Sequence, residues 1–146
     1  MGFRRKRDEV VIELSAPERN VLRMVPDLLD DLRPSDPGAG RLRYVAHPDD
    51  EDAEERYSDL IGDALDTARR EDRLEFTRTI DADTMDLSQA EAWMRVVGEA
   101  RLVLAARLDI TEEGWEETID PSDGPEVAIL GFLGWVQDAL VGVLSR

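Results

Sequence analysis

The residues with the clearest chemical potential form one short segment, HPDDE, at residues 47–51. An imidazole next to carboxylates can bind a metal ion, and a bound metal ion can activate water for hydrolysis. A catalytic zinc site normally has three protein ligands, whereas His47 is the only histidine of the chain. The chain has no cysteine, which excludes thiolate metal sites, disulfides and thiol-based catalysis. A metal-dependent hydrolase centred on His47, Asp49 and Asp50 is therefore an alternative to the function that we favour below.

The same five residues resemble the zinc-binding signature of the amidoglycan-deacetylase family. Members of that family use the histidine and an aspartate as metal ligands, use another aspartate as general base, and take their third ligand from a downstream histidine. The match covers five residues of 146, and this chain has no later histidine. We therefore expect a turn at Pro48 that leads into an acid-capped helix, with no catalytic residue, no metal and no cofactor.

Net charge limits the possible partners. The chain has 34 acidic and 18 basic residues, a formal charge of -16, and this excludes general binding to a phosphate backbone as the main activity. Residues 1–24 carry a net charge of +2, so residues 4–7 could act as the basic arm of a DNA-binding helix-turn-helix. The next acidic block, DDEDAEE at 49–55, stands where that motif needs a basic helix. We do not expect direct DNA binding, which is the second alternative.

The first residues predict a strand followed by a helix. Residues 9–14, EVVIEL, are rich in β-branched side chains, as expected for a short strand that could pair with residues 42–45. Ser15 and Glu18 have the spacing of a capping box, and Pro17 stands where a missing N–H costs little.

This first helix has one apolar face. Pro26 lies on the opposite side and should kink the helix, and the segment PSDPGAG at 34–40 should end it. The apolar face carries Val21, Leu22, Val25, Leu28, Leu29 and Leu32.

Three further helices are expected. The second starts near Asp50 and continues through residues 73–80, with Tyr57, Leu60, Ile61, Ala64, Leu65 and Ala68 as its buried stripe. Ser88 and Glu91 form a second capping box that opens a helix to about Leu108, covered on several sides. Its apolar arc carries Trp93, Val96, Val97, Ala100, Val103, Leu104 and Leu108. The last helix runs from about Pro125 to Leu144, and its glycines Gly131, Gly134 and Gly142 indicate a neighbour that packs closely.

Two arginines near the end of the 88–108 helix are binding candidates. On a helical wheel Arg107 falls within the apolar arc, and Arg101 lies at its edge beside Leu108. A guanidinium there must be paired, because an uncompensated buried charge is costly. Its partner could be a carboxylate or helix-end carbonyls of this chain, or an anionic group of a binding partner. Leu102 lies on the other side, where an exposed apolar side chain would add affinity.

Nearly the whole chain resembles an actinobacterial family that carries the label domain of unknown function. Residues 93–113, WMRVVGEARLVLAARLDITEE, hold a tryptophan and an R-L-x-L-x-x-R-L block. Residues 133–144, LGWVQDALVGVL, match the family's late L-x-x-x-Q-x-x-L-V helix, and residues 41–60 match its middle segment. The resemblance implies an oxidative-stress transcriptional regulator of the AosR type, acting through protein partners such as alternative sigma factors. The positions that match the signature, and hence the candidate partner-binding residues, are Trp93, Arg101, Leu102, Arg107 and Leu108.

We therefore expect one mostly α domain over residues 1–146, a compact bundle of about five helices with a short N-terminal β-strand. The leading hypothesis is a non-enzymatic cytoplasmic regulatory or adaptor protein that binds a protein partner with a basic surface. We expect no membrane span, because the apolar run at 127–144 contains Asp138 and the N-terminus lacks a signal-peptide core. The sequence does not predict the oligomeric state.

Overall fold

The computed structural model describes residues 2–30, 51–108 and 125–146, and in the third helix it describes side chains from residue 64 onwards. In chain order the described elements are β1 (Gly2–Lys6), β2 (Glu9–Glu13), α1 (Ala16–Arg23), α2 (Val25–Asp30), α3 (Glu51–Thr79), β3 (Thr84–Asp86), α4 (Leu87–Arg107) and α5 (Pro125–Leu144). The mostly helical class with a short N-terminal β element is confirmed. Counted as one kinked helix, α1 and α2 give four helices in the described residues, slightly fewer than the five expected.

The β element is a three-stranded antiparallel sheet in the order β1-β2-β3. The sequence predicted β2 alone, over residues 9–14. Its partners are β1, with Phe3 opposite Ile12, and β3, with Met85 opposite Val10. The predicted partner, residues 42–45, lies outside the described residues. β1 was missed because its sequence, GFRRK, has no apolar alternation and becomes a strand through pairing with β2.

The basic residues near the N-terminus belong to this hairpin. Two of them, Arg4 and Arg5, contact other parts of the protein. Arg4 Nε lies 2.9 Å from Glu13 Oε1, so it contacts the protein's own acidic surface. Arg5 Nη1 donates to the carbonyl of Val143 at 3.0 Å, which places a cation at the negative end of α5.

α1 begins as the sequence predicts. Ser15 Oγ accepts from the Glu18 N–H at 3.3 Å, and Glu18 Oε1 accepts from the Ser15 N–H at 2.8 Å, so the capping box is confirmed. Met24 ends α1 and Pro26 stands in the first turn of α2, where its missing N–H is tolerated. The described part of the predicted apolar face is buried at Leu22, Val25 and Leu29, and partly buried at Val21 and Leu28.

Arg19 joins α1 to the connection between α3 and β3. Its guanidinium donates to four carbonyls: Ile80 at 2.8 Å, Ala82 at 2.9 Å, and Leu14 and Ile12 at 3.3 Å. All four are backbone oxygens, so one side chain pairs with acceptors of β2, of the connection from β2 to α1 and of the chain after α3. This contact fixes the sheet against the end of α3.

α3 starts one residue after the predicted Asp50 and continues to Thr79, as expected for residues 73–80. Its predicted buried stripe is wrong where side chains are described, because Ala64, Leu65 and Ala68 are exposed. Part of the face that α3 turns towards its neighbours consists of paired charged residues such as Arg73. An apolar stripe alone therefore could not locate this contact face.

α4 is the central helix and packs against α2, α3, α5 and the sheet. Its predicted cap is wrong. The N-cap is Asp86, whose carboxylate accepts from the Gln89 N–H at 2.7 Å, and Gln89 Oε1 accepts from the Asp86 N–H at 2.9 Å. Ser88 and Glu91 have the same spacing as a capping box. Asp86, the last residue of β3, has the extended backbone that an N-cap residue adopts. The helix is therefore capped at Asp86 and not at Ser88.

Trp93 organises the core around α4. It is fully buried, packs edge-on against Phe3 at 6.0 Å between ring centroids, and lies 4.7 Å from the ring of Phe76. Its indole N–H donates to Thr79 Oγ1 at 2.6 Å, and that hydroxyl contacts the Glu75 carbonyl at 2.7 Å. The large aromatic residue is thus held in one orientation by a buried hydrogen bond.

α5 has the predicted bounds. Its inner face is buried at Leu130, Leu133, Val136, Leu140 and Val143. Of the described helices, α5 is the one long and apolar enough to cross a membrane, a test that core helices also pass. The expected close neighbour is found at Gly134, where Arg101 lies 3.4 Å from the position of a Cβ, but no described atom comes within 4 Å at Gly131 or Gly142.

Candidate functional site

The five residues that match the family signature do not form one surface. Trp93 lies in the core, Arg107 is exposed, and Arg101, Leu102 and Leu108 are half-buried. Leu102 lies half a turn around α4 from Trp93. The expectation of an exposed Leu102 is wrong, because its side chain is half-buried. The burial expected for Arg107 from its place on the apolar arc is also wrong: Arg107 is the last residue of α4 and is exposed among the described residues.

Arg101 joins two motifs of that signature. Its Nη1 donates to Gln137 Oε1 at 3.0 Å, so the R-L-x-L block on α4 contacts the late glutamine on α5. Gln137 occupies the space above Gly98, where a Cβ would lie 2.7 Å from its Nε2. The partner of Arg101 is thus a neutral amide, where the sequence predicted a carboxylate or a carbonyl. The contact orients α5 on α4.

An ionic cluster connects α2, α3 and α4. Arg73 Nη1 donates to Asp30 at 2.8 Å, and Arg73 and Arg69 lie 3.8 Å and 3.6 Å from Glu99. The Glu99 side chain is only 14% exposed. Burial raises the pKa of Glu99, and Arg69 and Arg73 lower it without cancelling that effect. This cluster could not be predicted from the sequence, because its burial depends on contacts between three helices.

An open cavity of about 350 Å³ lies between α3 and the N-terminal half of α4. We call it the acidic cleft. Arg95 is its one cation and forms two hydrogen bonds with Asp72, at 2.8 Å and 3.0 Å, which raise the pKa of Arg95. Glu75 accepts from Gln89 at 2.8 Å. The lining residues are Glu71, Asp72, Glu75, Asp86, Ser88, Gln89, Ala92 and Arg95.

One wall of the acidic cleft carries an exposed carboxylate. Glu71 is exposed and is not among the carboxylates that form ion pairs in the described part of the chain. Leu74, three residues further along α3, is 57% exposed and lies next to Glu71 on the helix surface. The lining therefore has more carboxylates than cations, which gives the site a negative electrostatic potential. The acidic cleft could not be predicted from the sequence, because separate segments of the chain contribute its carboxylates.

A second cavity, about 460 Å³, lies between α2 and the end of α3. Its charges are mostly balanced. Arg23 pairs with Asp81, whose pKa is lowered by the hydrogen bonds from that guanidinium, and Arg73 pairs with Asp30. This cavity therefore offers a partner less uncompensated charge than the acidic cleft does.

The metal hypothesis concerns residues outside this site. His47, Asp49 and Asp50 lie outside the described residues, as does the acidic segment 109–124. Within the residues that the structure describes, no three histidine, cysteine or carboxylate side chains are grouped so that they could hold a metal ion.

Comparison with known proteins gives one match. A family model described as Domain of unknown function (DUF2017) matches residues 1–144. No curated protein and no solved structure shows significant similarity to the chain. The match covers almost every residue, including α4, α5 and both walls of the acidic cleft. The chain therefore belongs to the DUF2017 family of domains of unknown function.

Proposed function

We propose that this protein is a non-enzymatic regulatory or adaptor protein that binds a basic surface of a protein partner through the acidic cleft. The observation that carries the proposal is the open cleft itself, which is lined by four carboxylates and one arginine. The exposed Leu74 lies next to Glu71, one of the lining residues, on the surface of α3. The cleft lies on a chain of net charge -16.

Charge and apolar contact have separate roles in this binding. A negative field accelerates the encounter with a cationic surface, and the effect weakens as salt screens the charges. Affinity comes mainly from desolvated contacts at the centre of an interface, which Leu74 can supply. A lysine or arginine of the partner placed in the cleft would pair with Glu71 while its aliphatic stem covers Leu74.

The resemblance to AosR-type regulators suggests where such a partner is found. On that basis we propose a cytoplasmic, actinobacterial protein that acts in transcription regulation during the stress response, with a component of the transcription machinery such as an alternative sigma factor as its partner. Because the chain has no cysteine, the signal reaches it by a route other than its own thiols.

The test is crosslinked capture of proteins from a lysate at low salt, with the whole chain as bait. We expect the wild type to retain a specific protein. The double variant Glu71→Lys with Leu74→Ser should retain at least about tenfold less of it, because the two changes remove an attractive charge and an apolar contact. Both side chains are exposed, so the variant should keep the fold, and circular dichroism checks this.

Asp27→Lys is the matched control. Asp27 is an exposed carboxylate on α2 and lines the second cavity, so this variant has the same charge change outside the acidic cleft. It should retain the partner. Equal retention by the double variant and the wild type, or no specific protein with the wild type, would contradict the proposal.

A further inference from the structure

A cation of this chain already occupies part of the acidic cleft. Arg95 Nε donates to Asp72 Oδ2 at 2.8 Å and Arg95 Nη2 donates to Asp72 Oδ1 at 3.0 Å, so one guanidinium engages both carboxylate oxygens. The Asp72 side chain is 17% exposed, compared with 32% for Glu75. The other two carboxylates of the lining, Glu71 and Asp86, are exposed. Arg95 therefore binds the least exposed carboxylate of the cleft, where a guanidinium is held most strongly.

We propose that the acidic cleft binds an arginine side chain of the partner at Asp72, and that Arg95 occupies this position in the free protein as an intramolecular competitor. The inference rests on the proposed function, because it concerns the same cleft. In the complex the guanidinium of the partner replaces that of Arg95, and Asp72 again accepts two charge-assisted hydrogen bonds. This exchange selects arginine over lysine, because an ammonium is a point charge and does not match both carboxylate oxygens.

Arg95 can leave Asp72 at little cost. The Arg95 side chain is 51% exposed, and exposed ion pairs contribute little to stability. Glu91 is an exposed carboxylate four residues before Arg95 on α4, which is the spacing and order that favour an ion pair on a helix surface. The hydrogen bonds with Asp72 are the largest cause of the raised pKa of Arg95, and the charges of Glu91 and Glu99 add to it. A displaced Arg95 therefore stays close to negative charge.

The competition has a measurable consequence. A ligand that needs the open form of the Arg95–Asp72 pair binds with an apparent affinity that is lowered by the fraction of molecules in which this pair is open. Removing Arg95 should therefore raise the affinity for an arginine ligand. If Arg95 instead only held Asp72 in position for a partner, its removal would lower that affinity.

The test is fluorescence anisotropy with the whole chain and two labelled peptides, hexa-arginine and hexa-lysine, at low salt. We expect the wild type to bind hexa-arginine at least about threefold more tightly than hexa-lysine. Arg95→Gln should bind hexa-arginine about threefold to fivefold more tightly than the wild type does, as expected from the loss of one exposed competing pair. Arg95→Lys keeps the charge and loses the bidentate contact, so it should bind hexa-arginine about twofold more tightly than the wild type.

Arg23→Gln is the matched control for net charge. Arg23 donates two hydrogen bonds to Asp81 in the second cavity, so this variant loses one cation and one bidentate pair outside the acidic cleft. Its affinity for hexa-arginine should stay within about twofold of the wild-type value, because the change lies away from the site. Circular dichroism checks the fold of each variant.

An Arg95→Gln variant that binds hexa-arginine no more tightly than Arg23→Gln does would overturn the inference, as would equal binding of the two peptides by the wild type. Failure of this inference is distinct from failure of the proposed function. If Glu71→Lys with Leu74→Ser loses the captured partner while Arg95→Gln gains no affinity, the cleft is a binding site and Arg95 is not its competitor. A wild type that binds neither peptide would overturn the inference and would also contradict the cationic partner of the proposed function.

Discussion

The two long helices that flank α4 contact it by different chemistry. Along α5 the contact is apolar and close, with Leu133 and Leu140 fully buried and Gln137 seated over Gly98. Along α3 a large part of the contact is ionic, through Arg69 and Glu99 at 3.6 Å and through Arg95 and Asp72 at 2.8 Å.

This difference explains where a site can form. Close apolar packing between α4 and α5 buries Leu133 and Leu140 fully, so that interface supplies stability. Long charged side chains form part of the contact between α3 and α4, and the acidic cleft opens beside them. The same charged residues that make this interface weaker also provide the carboxylates that a cationic partner would contact.

The largest expected effect is at the α5 interface. Leu133→Ala removes a fully buried side chain from the contact with α4, and should lower the free energy of unfolding by about 2–5 kcal/mol through lost burial and the cavity left behind. Urea unfolding followed by circular dichroism measures this. A loss below about 1 kcal/mol would show that the α5 interface is not the stable one.

The next largest effect is expected at Glu99, where the free energy of unfolding should depend on pH. Because burial raises its pKa in the folded state, the stability that Glu99 contributes is fully present below its ordinary pKa and is lost as the pH rises through the raised value. The free energy of unfolding of the wild type, minus that of Glu99→Gln, should therefore fall between acid and neutral pH. The quantity to measure is the change of this difference with pH, and not its size at one pH, because Glu99→Gln also removes the charge that faces Arg69 and Arg73.

A difference that does not change with pH, or that increases towards neutral pH, would contradict the assignment of a raised pKa to Glu99. Such a result would mean that Arg69 and Arg73 stabilise the carboxylate more than burial destabilises it.

The smallest effect is expected at the edge of the acidic cleft. Asp72→Asn breaks the pair with Arg95, whose side chain is 51% exposed, and should cost less than about 1 kcal/mol. The same urea series that measures Leu133→Ala measures this variant. Equal losses of unfolding free energy in Asp72→Asn and Leu133→Ala would contradict the difference between the α3–α4 and α4–α5 interfaces.

The sequence predicts those elements whose signals are local. The Ser15–Glu18 box and the bounds of α5 depend on adjacent residues, and both are confirmed. The cap at Asp86 was missed because Ser88 and Glu91 share its spacing, and because β3 exists only through pairing with β2. The acidic cleft could not be predicted for the same reason, because it depends on contacts between separate segments. Glu71 and Asp86 are remote in sequence, and only the packing of α3 on α4 brings them to one cleft.

Hydrogen–deuterium exchange of the captured complex tests the central claim, that the protein acts through the surface of the acidic cleft, most directly. We expect slower exchange on binding in residues 71–75 and 86–95, with little change in α2. Protection that leaves both cleft segments unchanged and falls elsewhere in the chain would contradict it.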